Sequence, residues 1–302
     1  MSEPAVNPHY KDYSQFLAEH FEGKVQKLSI DTGMGCPNRD GTIGTGGCIY
    51  CNNRAFSPDW QKRALGVAEQ IARGKAFFTG KYPNMRYLAY FQSYTSTHAP
   101  VENLMAMYRE ALSQPGVIGL IIGTRPDCMP DALLEALKTL DKPVIIEYGA
   151  ESSHNDTLRL INRCHTWEQT VETVVRTAAA GFPVGVHLIL GLPGEDFSKM
   201  ARTVRRVNDL PVSTVKFHQL QILKGTPLAG IYQNLDIQQY SPEEYADLCA
   251  RLLLELRRDI AIERFVAQAP PEMLISPRWG LKNYQFGALL NKAVEKLRNE
   301  NK

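Results

Sequence analysis

The sequence lacks any apolar run close to the roughly 18 residues that a membrane span requires. Its first sixteen residues, MSEPAVNPHYKDYSQF, contain no apolar stretch of the kind found in secretory signals. Internal repeats and low-complexity tracts are absent, and hydrophobic residues make up 44% of the chain. These features exclude the membrane and fibrous classes, so we expect a globular protein of the cytoplasm.

An excess of charge of either sign is also missing. The 34 basic and 32 acidic residues leave a formal net charge of +2, which gives only a weak global field. Residues 54–86 are the exception, because seven basic residues there face only two acids. Either a solvated surface or a contact with nucleic-acid phosphates would account for this segment, so charge alone selects no partner.

Cysteine is scarce, but its placement is uneven. Three of the six cysteines fall within CPNRDGTIGTGGCIYC, residues 36–51. Thiols stay reduced in the cytoplasm, so this clustering indicates metal or redox chemistry rather than a disulfide framework. The other three, Cys128, Cys164 and Cys249, lie at apolar or helical positions and are predicted to be packing residues.

Apolar runs typical of buried strands alternate with amphipathic helical patterns along most of the chain. Strands are predicted at residues 25–31, 86–92, 117–123, 143–149, 182–191 and 213–223. Helices are predicted at residues 65–78, 101–113, 131–140, 155–180 and 196–208. This α/β alternation favours a partial (β/α)6 TIM-like barrel with a parallel sheet, and a doubly wound sheet is the alternative.

The last part of the chain changes character near Ser241. The sequence S-P-E-E there predicts a helix start, with Ser241 as the cap and Pro242 in the first turn. A Pro-rich stretch and a final charged helix follow. We therefore predict a barrel over residues 1–240 and a helical extension, packed on it, over residues 241–302.

Three kinds of site fit the clustered cysteines. Structural zinc requires four ligands, so a distant His20 or His98 would have to complete the set. A redox CxxC would use Cys48 and Cys51 and leave Cys36 without a role. An iron-sulfur cluster held by three thiolates would leave one iron open to a substrate.

The spacing C-x11-C-x2-C, with Tyr50 before the last cysteine, resembles the cluster loop of the radical S-adenosylmethionine (radical SAM) superfamily. The common form of that loop is CxxxCxxC, and the longer first gap here is rich in glycine, which lets the backbone turn back. Six further segments extend the resemblance to the YhcC-like subfamily, close to the radical SAM part of the Elongator catalytic subunit. These segments are FQSYTST (91–97), GTRPD (123–127), EYGAES (147–152), INRCH (161–165), HLILGLPGE (187–195) and KGTPLA (224–229).

The resemblance implies the cofactors and their chemistry. Cys36, Cys48 and Cys51 would hold a 4Fe-4S cluster, with the amino and carboxylate groups of SAM on the fourth iron. Reductive cleavage of SAM would then give methionine and a 5′-deoxyadenosyl radical that abstracts hydrogen from the substrate. The electron would come from a flavodoxin or a ferredoxin-type protein.

The resemblance also assigns contacts with SAM. Gln92 and Ser93 would offer backbone groups to its amino group, although the usual glycines of that loop are replaced here. Arg163 would bind its carboxylate, because a guanidinium suits that planar group. The remaining implied contacts are Tyr50, Glu151 or Ser152, His187 near the ribose, and Gly191 near the adenine.

A second set of polar residues follows the third strand and occupies the sixth. The resemblance places Arg125, Asp127, Lys216, His218 and Gln221 on the substrate side of the barrel. Each would serve equally well in a buried polar network. Sequence alone does not separate these two roles.

The nearest families suggest a substrate. Relatives of the Elongator subunit act on the side chain at carbon 5 of the tRNA wobble uridine, so we expect a tRNA uridine 5-substituent such as carboxymethylaminomethyl. Radical chemistry on a small metabolite is the first alternative. A zinc-dependent RNA-binding protein without catalysis is the second.

Overall fold

The structure of the protein is a computed structural model that describes residues 7–58, 60–61, 65–79 and 85–300. Lys62, Arg63 and Lys81 of the basic segment lie outside these ranges, as does Asp59. Within them, Arg73 pairs with Glu69 at 2.7 Å. The prediction of a phosphate-binding surface on this segment therefore stays a prediction.

Nine strands are present in the described residues: β1 Val25–Ile30, β2 Arg86–Phe91, β3 Val117–Thr124, β4 Val144–Glu151, β5 Val184–Leu190, β6 Thr214–Gln219, β7 Ile222–Leu223, β8 Ala261–Arg264 and β9 Leu274–Ser276. Seven of them form one parallel sheet in the order β1-β2-β3-β4-β5-β6-β8. The other two, β7 and β9, pair antiparallel beside it. Long apolar strands suit this arrangement, because helices and loops cover both faces of a parallel sheet.

Ten α-helices flank the sheet in the described residues: α1 Tyr13–His20, α2 Val67–Thr79, α3 Val101–Ser113, α4 Asp131–Leu137, α5 Asn155–Leu160, α6 Trp167–Ala179, α7 Phe197–Asn208, α8 Pro227–Ile231, α9 Pro242–Glu255 and α10 Asn283–Glu300. No helix among the described residues is long and apolar enough to cross a membrane.

The sheet curls into a half-barrel. Its edge strands β1 and β8 come close enough for Lys27 Nζ to lie 2.6 Å from Glu263 Oε2. The predicted partial barrel is confirmed, with seven parallel strands instead of six. The seventh, β8, has only four residues and lies a short distance after α9, which is why its sequence did not stand out as a strand.

Helix α1 covers the N-terminal end of the half-barrel. Asp12 caps the helix, and Gln15 closes a capping box with it. Phe16 packs with Leu88, Tyr90 and further apolar residues at the bottom of the sheet. The lumen is thus closed by hydrophobic packing at this end, while the carboxyl ends of the strands form the opposite, chemically active end.

Two predicted segments differ in the structure. Residues 155–180 form two helices, α5 and α6, because Asn162 and Cys164 adopt positive φ values of 53° and 60° and break the first. Residues 213–223 likewise form two strands.

In the extension, the capping role of Ser241 and the place of Pro242 are confirmed. The division at residue 240 stays a prediction, and the extension supplies β8 to the barrel sheet.

Candidate active site

The cysteine loop lies at the carboxyl end of β1 and is fastened to the segment between α5 and α6. Asn38 Nδ2 donates to the carbonyl of Asn162 at 2.6 Å, and Asn162 Nδ2 donates to the carbonyl of Gly47 at 2.8 Å. The amide of Ile49 donates to the carbonyl of Ile161 at 3.0 Å. These bonds fix a glycine-rich loop that has little regular structure of its own.

The three cysteines lie near one another but in different surroundings. Cys48 is buried, whereas Cys36 and Cys51 are partly exposed. Asn38 Nδ2 and Arg163 Nη1 each donate toward Cys48 Sγ at 3.6 Å. Burial, followed by the charge on Cys48, raises the pKa of the Cys51 thiol to about 11. Arg39 joins the ends of the loop, because its amide donates to the Cys36 carbonyl at 2.7 Å and its Nη2 donates to the Cys51 carbonyl at 2.9 Å.

The surroundings of the histidines bear on the zinc alternative. Among the described residues, no three Cys, His, Asp or Glu side chains surround a point as the ligands of one metal ion would. His20 Nδ1 bonds to the Phe16 carbonyl at 2.8 Å, and His98 Nε2 lies 2.7 Å from Asp40 Oδ2. Zinc therefore gains no support here. Three thiols with two N–H donors directed at Cys48 fit a cluster, in which different irons bind different cysteines.

Arg163 is the buried cation of this site. Its Nη2 donates to the Gly149 carbonyl at 2.6 Å and lies 3.5 Å from Glu151 Oε1, while its Nε has no hydrogen-bond partner among the described residues. Burial would lower its pKa, but Tyr50, Cys48 and Glu151 outweigh burial and hold the pKa well above its usual range. The guanidinium thus stays charged next to the cysteine loop.

Gly149 makes room for this arrangement. A Cβ atom at residue 149 would lie 2.6 Å from Arg163 Nη2 and 2.7 Å from Glu151 Oε1. Any other residue would therefore displace both charged groups. The glycine in EYGAES is explained by this close approach.

A cavity of about 180 Å³ opens at the mouth of the half-barrel and is called the mouth cavity here. Four predicted cofactor residues line it: Tyr50, Cys51, Glu151 and His187. Ser152 does not, because its hydroxyl donates to Glu195. Gly191 lies against the ring of Tyr240 instead. The structure therefore places Glu151, rather than Ser152, in the cavity beside the cysteine loop.

Gln92 and Ser93 follow β2 and are not part of the mouth cavity wall. Gln92 Nε2 donates to Ser29 Oγ at 2.9 Å, and Gln61 Nε2 donates to Ser93 Oγ at 2.5 Å. Both lie at the carboxyl end of the sheet. Their predicted role, which uses backbone groups, stays a prediction.

Backbone strain is concentrated at this end of the barrel. Among the described residues, four non-glycine residues have positive φ: Tyr94, Glu151, Asn162 and Cys164. Glu151 sits at a bulge in the pairing of β4 with β5, with φ of 66°. Such conformations are unfavourable for residues with a Cβ and concentrate at functional sites. They indicate that this mouth is shaped for a ligand.

Below the mouth cavity, the lumen holds a charged network centred on Glu147. Its carboxylate accepts from Tyr90 Oη at 2.8 Å, from Lys27 Nζ at 2.9 Å, from Lys216 Nζ at 2.8 Å and from His187 Nε2 at 2.9 Å. Burial alone would raise the pKa of Glu147, but Lys216 and Lys27 hold it well below its usual range. Sequence reasoning missed Glu147, although a carboxylate within the apolar run PVIIEYG was the available signal.

His187 joins the lumen network to the mouth cavity. Burial and Lys216 lower the pKa of its imidazole. The ring is therefore neutral near pH 7, and its Nε2–H donates to Glu147. Its Nδ1 is then an acceptor, the form suited to a hydroxyl group of a ligand.

The five residues predicted on the substrate side separate into two groups. His218 and Gln221 line the mouth cavity. Arg125 instead forms a buried bidentate pair with Asp127 at 2.9 and 2.8 Å. Lys216 belongs to the lumen network. Arg125, Asp127 and Lys216 are therefore members of buried polar networks.

Comparison with known proteins identifies the family. Residues 32–207 match the family model described as radical SAM superfamily, and residues 212–296 match the radical SAM C-terminal domain. The protein YhcC of Escherichia coli K12 is 38% identical over 266 residues, covering 87% of this chain and 85% of YhcC.

Two further similarities lie in the Elongator branch. A tRNA uridine(34) acetyltransferase of Methanocaldococcus jannaschii is 24% identical over 182 residues, covering 59% of this chain and 33% of that protein. The solved structure of Methanocaldococcus infernus Elp3, lacking its N-terminus, superimposes with a TM-score of 0.71 at 17% identity, over 91% of this chain and 63% of that one. The chain belongs to the radical SAM superfamily, whose cofactors are a 4Fe-4S cluster and S-adenosylmethionine.

Proposed function

We propose that the protein is a radical SAM enzyme of the cytoplasm that modifies the 5-substituent of a wobble uridine in tRNA. The observation that carries the radical chemistry is the cysteine loop beside a cavity lined by Tyr50, Cys51, Glu151 and His187. The tRNA substrate is supported by the similarity to a tRNA uridine(34) acetyltransferase.

Each residue of the site has a distinct task in this proposal. Cys36, Cys48 and Cys51 hold the cluster, which when bound supplies the electron that cleaves SAM to methionine and a 5′-deoxyadenosyl radical. Asn38 and Arg163 donate toward Cys48 and keep its sulfur in place.

The walls of the mouth cavity would hold SAM itself. Glu151 and His187 Nδ1 would accept hydrogen bonds from ribose hydroxyls. The charged guanidinium of Arg163, 3.5 Å from Glu151, would attract the SAM carboxylate. A flavodoxin or a ferredoxin-type protein delivers the electron.

The test is anaerobic reconstitution followed by incubation with SAM and a reductant. We expect about four irons per chain. We also expect 5′-deoxyadenosine to form, and its formation to increase when total tRNA is added from a strain in which the gene for this protein is deleted. The nucleoside profile of that tRNA, measured by mass spectrometry, should differ from the wild-type profile at a uridine derivative. Unchanged tRNA would overturn the tRNA substrate, and one tightly bound zinc without iron would overturn the enzyme.

A further inference from the structure

A second cavity, of about 410 Å³, lies beside the mouth cavity and is called the C-terminal cavity here. Its walls come from Gln219 at the end of β6, from Gln221 just after it, and mainly from the segment between β8 and α10. Gln219, Gln221 and Ala267 line both cavities. A ligand of nucleoside size would therefore fill a pocket that adjoins the predicted SAM site.

The two shared glutamines are not equivalent. Gln219 is fully engaged, because its Nε2 donates to the Ala267 carbonyl at 2.8 Å and its Oε1 accepts from the Ala267 amide at 2.7 Å. Gln221 Nε2 also donates to the Ala267 carbonyl, at 3.0 Å, whereas its Oε1 has no hydrogen-bond partner among the described residues.

The orientation of the Gln221 amide is fixed by this contact. A carbonyl only accepts hydrogen bonds, so the NH₂ group must face Ala267 and the oxygen must face away. Gln221 is only 7% exposed, and a buried acceptor without a hydrogen-bond partner is unfavourable. An N–H group of a ligand bound next to Gln221 would supply the missing donor.

The remaining walls of the C-terminal cavity suit a nucleotide. Trp279 presents an aromatic ring that is held by a hydrogen bond from its Nε1 to the Tyr240 carbonyl at 2.9 Å. Arg278 and Lys282 add positive charge, and no acidic residue is among the described residues of the wall. An aromatic face binds bases by stacking, and the cations attract phosphate.

We propose that the C-terminal cavity binds the uracil ring of a uridine nucleotide, with the N3–H of the base donating to Gln221 Oε1. Uracil carries a donor at N3, whereas cytosine carries an acceptor there, so this contact selects uridine. The inference rests on the proposed function and deepens it, since it names the residue that reads the target base.

The test uses the reconstituted holoprotein and three anticodon stem-loop RNAs with uridine, 3-methyluridine or cytidine at the wobble position. We expect the wild-type protein to bind the uridine RNA about tenfold more tightly than either of the others. The variant Q221M keeps the side-chain length but removes the acceptor, so it should bind all three alike. The matched control Q268M changes a glutamine of the same cavity that donates to the Leu281 carbonyl, and it should keep the preference.

Failure of this inference and failure of the proposed function give different results. Equal binding of the three RNAs by the wild-type protein, or an unchanged preference in Q221M, overturns the inference even if tRNA stimulates 5′-deoxyadenosine formation. Selective binding of uridine, lost in Q221M, supports the inference even if tRNA is not modified. If no stem-loop binds, saturation-transfer NMR with free uridine and 3-methyluridine decides, and the absence of a difference overturns the inference.

Discussion

Two polar clusters occupy the half-barrel, and they differ in how completely their groups are paired. In the lumen, Lys27 and Lys216 each contact both Glu147 and Glu263 at 2.6 to 2.9 Å. At the mouth, Arg163 Nε and Asn38 Oδ1 have no partners among the described residues.

The difference separates two roles of buried polar groups. The lysines and glutamates of the lumen are all paired, and such a network stabilises one arrangement of the strands, because removing one member leaves another charge uncompensated. A cluster with unpaired groups indicates a binding site, since native proteins rarely leave buried polar atoms without hydrogen-bond partners. We therefore assign structure to the lumen and ligand binding to the mouth. Four changes test this assignment.

The largest expected effect is on the mouth. Cys48→Ala removes the buried thiol that Asn38 and Arg163 contact, so we expect loss of the cluster and complete loss of 5′-deoxyadenosine formation. Iron analysis and chromatography measure both. The control C164A removes an exposed cysteine, and it should retain iron and activity. Full iron content in C48A would contradict the proposed ligand set.

The next effect is on the lumen. Glu147→Gln leaves two buried lysines to share Glu263, so the free energy of unfolding should fall by about 3–5 kcal/mol. Urea denaturation of the apo-protein measures it. A loss below about 1 kcal/mol would show that the network contributes little to stability.

The difference in unfolding free energy between wild type and E147Q should depend on pH. The pKa of Glu147 lies well below its ordinary value of 4.5, so its stabilising contribution is complete above about pH 4.5 and is lost as the pH falls further. The gap in unfolding free energy between wild type and E147Q should be constant from pH 7 to about 5 and then narrow. A gap that widens on acidification would contradict the low pKa.

A smaller effect is expected for Arg163→Lys, which keeps the charge but cannot reach Cys48, Gly149 and Glu151 together. Donors to a cluster thiolate stabilise the more negative, reduced state, so their loss should lower the reduction potential. Redox titration followed by EPR measures it. The exposed Arg159→Lys is the control, and equal potentials in both variants would argue against a direct contact.

The smallest effect is expected at the surface. Arg73 and Glu69 form an ion pair at 2.7 Å, within the range of distances in the lumen, but their side chains are 49% and 52% exposed. R73Q should therefore change the unfolding free energy by no more than about 0.5 kcal/mol. A larger change by urea denaturation would mean that burial is not what distinguishes the lumen pairs.

The sequence was most informative where the pattern is local. Strand and helix alternation predicted the barrel, and Ser241 with Pro242 marked the start of α9. Local pattern failed for β8, which is short, and for Cys164, predicted as a packing residue but exposed in a loop that interrupts the helical periodicity.

The sequence by itself determined the clustering of the cysteines and the α/β pattern, because these depend on spacing and periodicity within short segments, and the resemblance of its motifs indicated the superfamily. Only the tertiary structure decided which polar groups are paired. Lys27 and Glu147 are 120 residues apart, and Arg163 reaches a sulfur 115 residues away. Such contacts exist only after the sheet has curled and brought the carboxyl ends of its strands together.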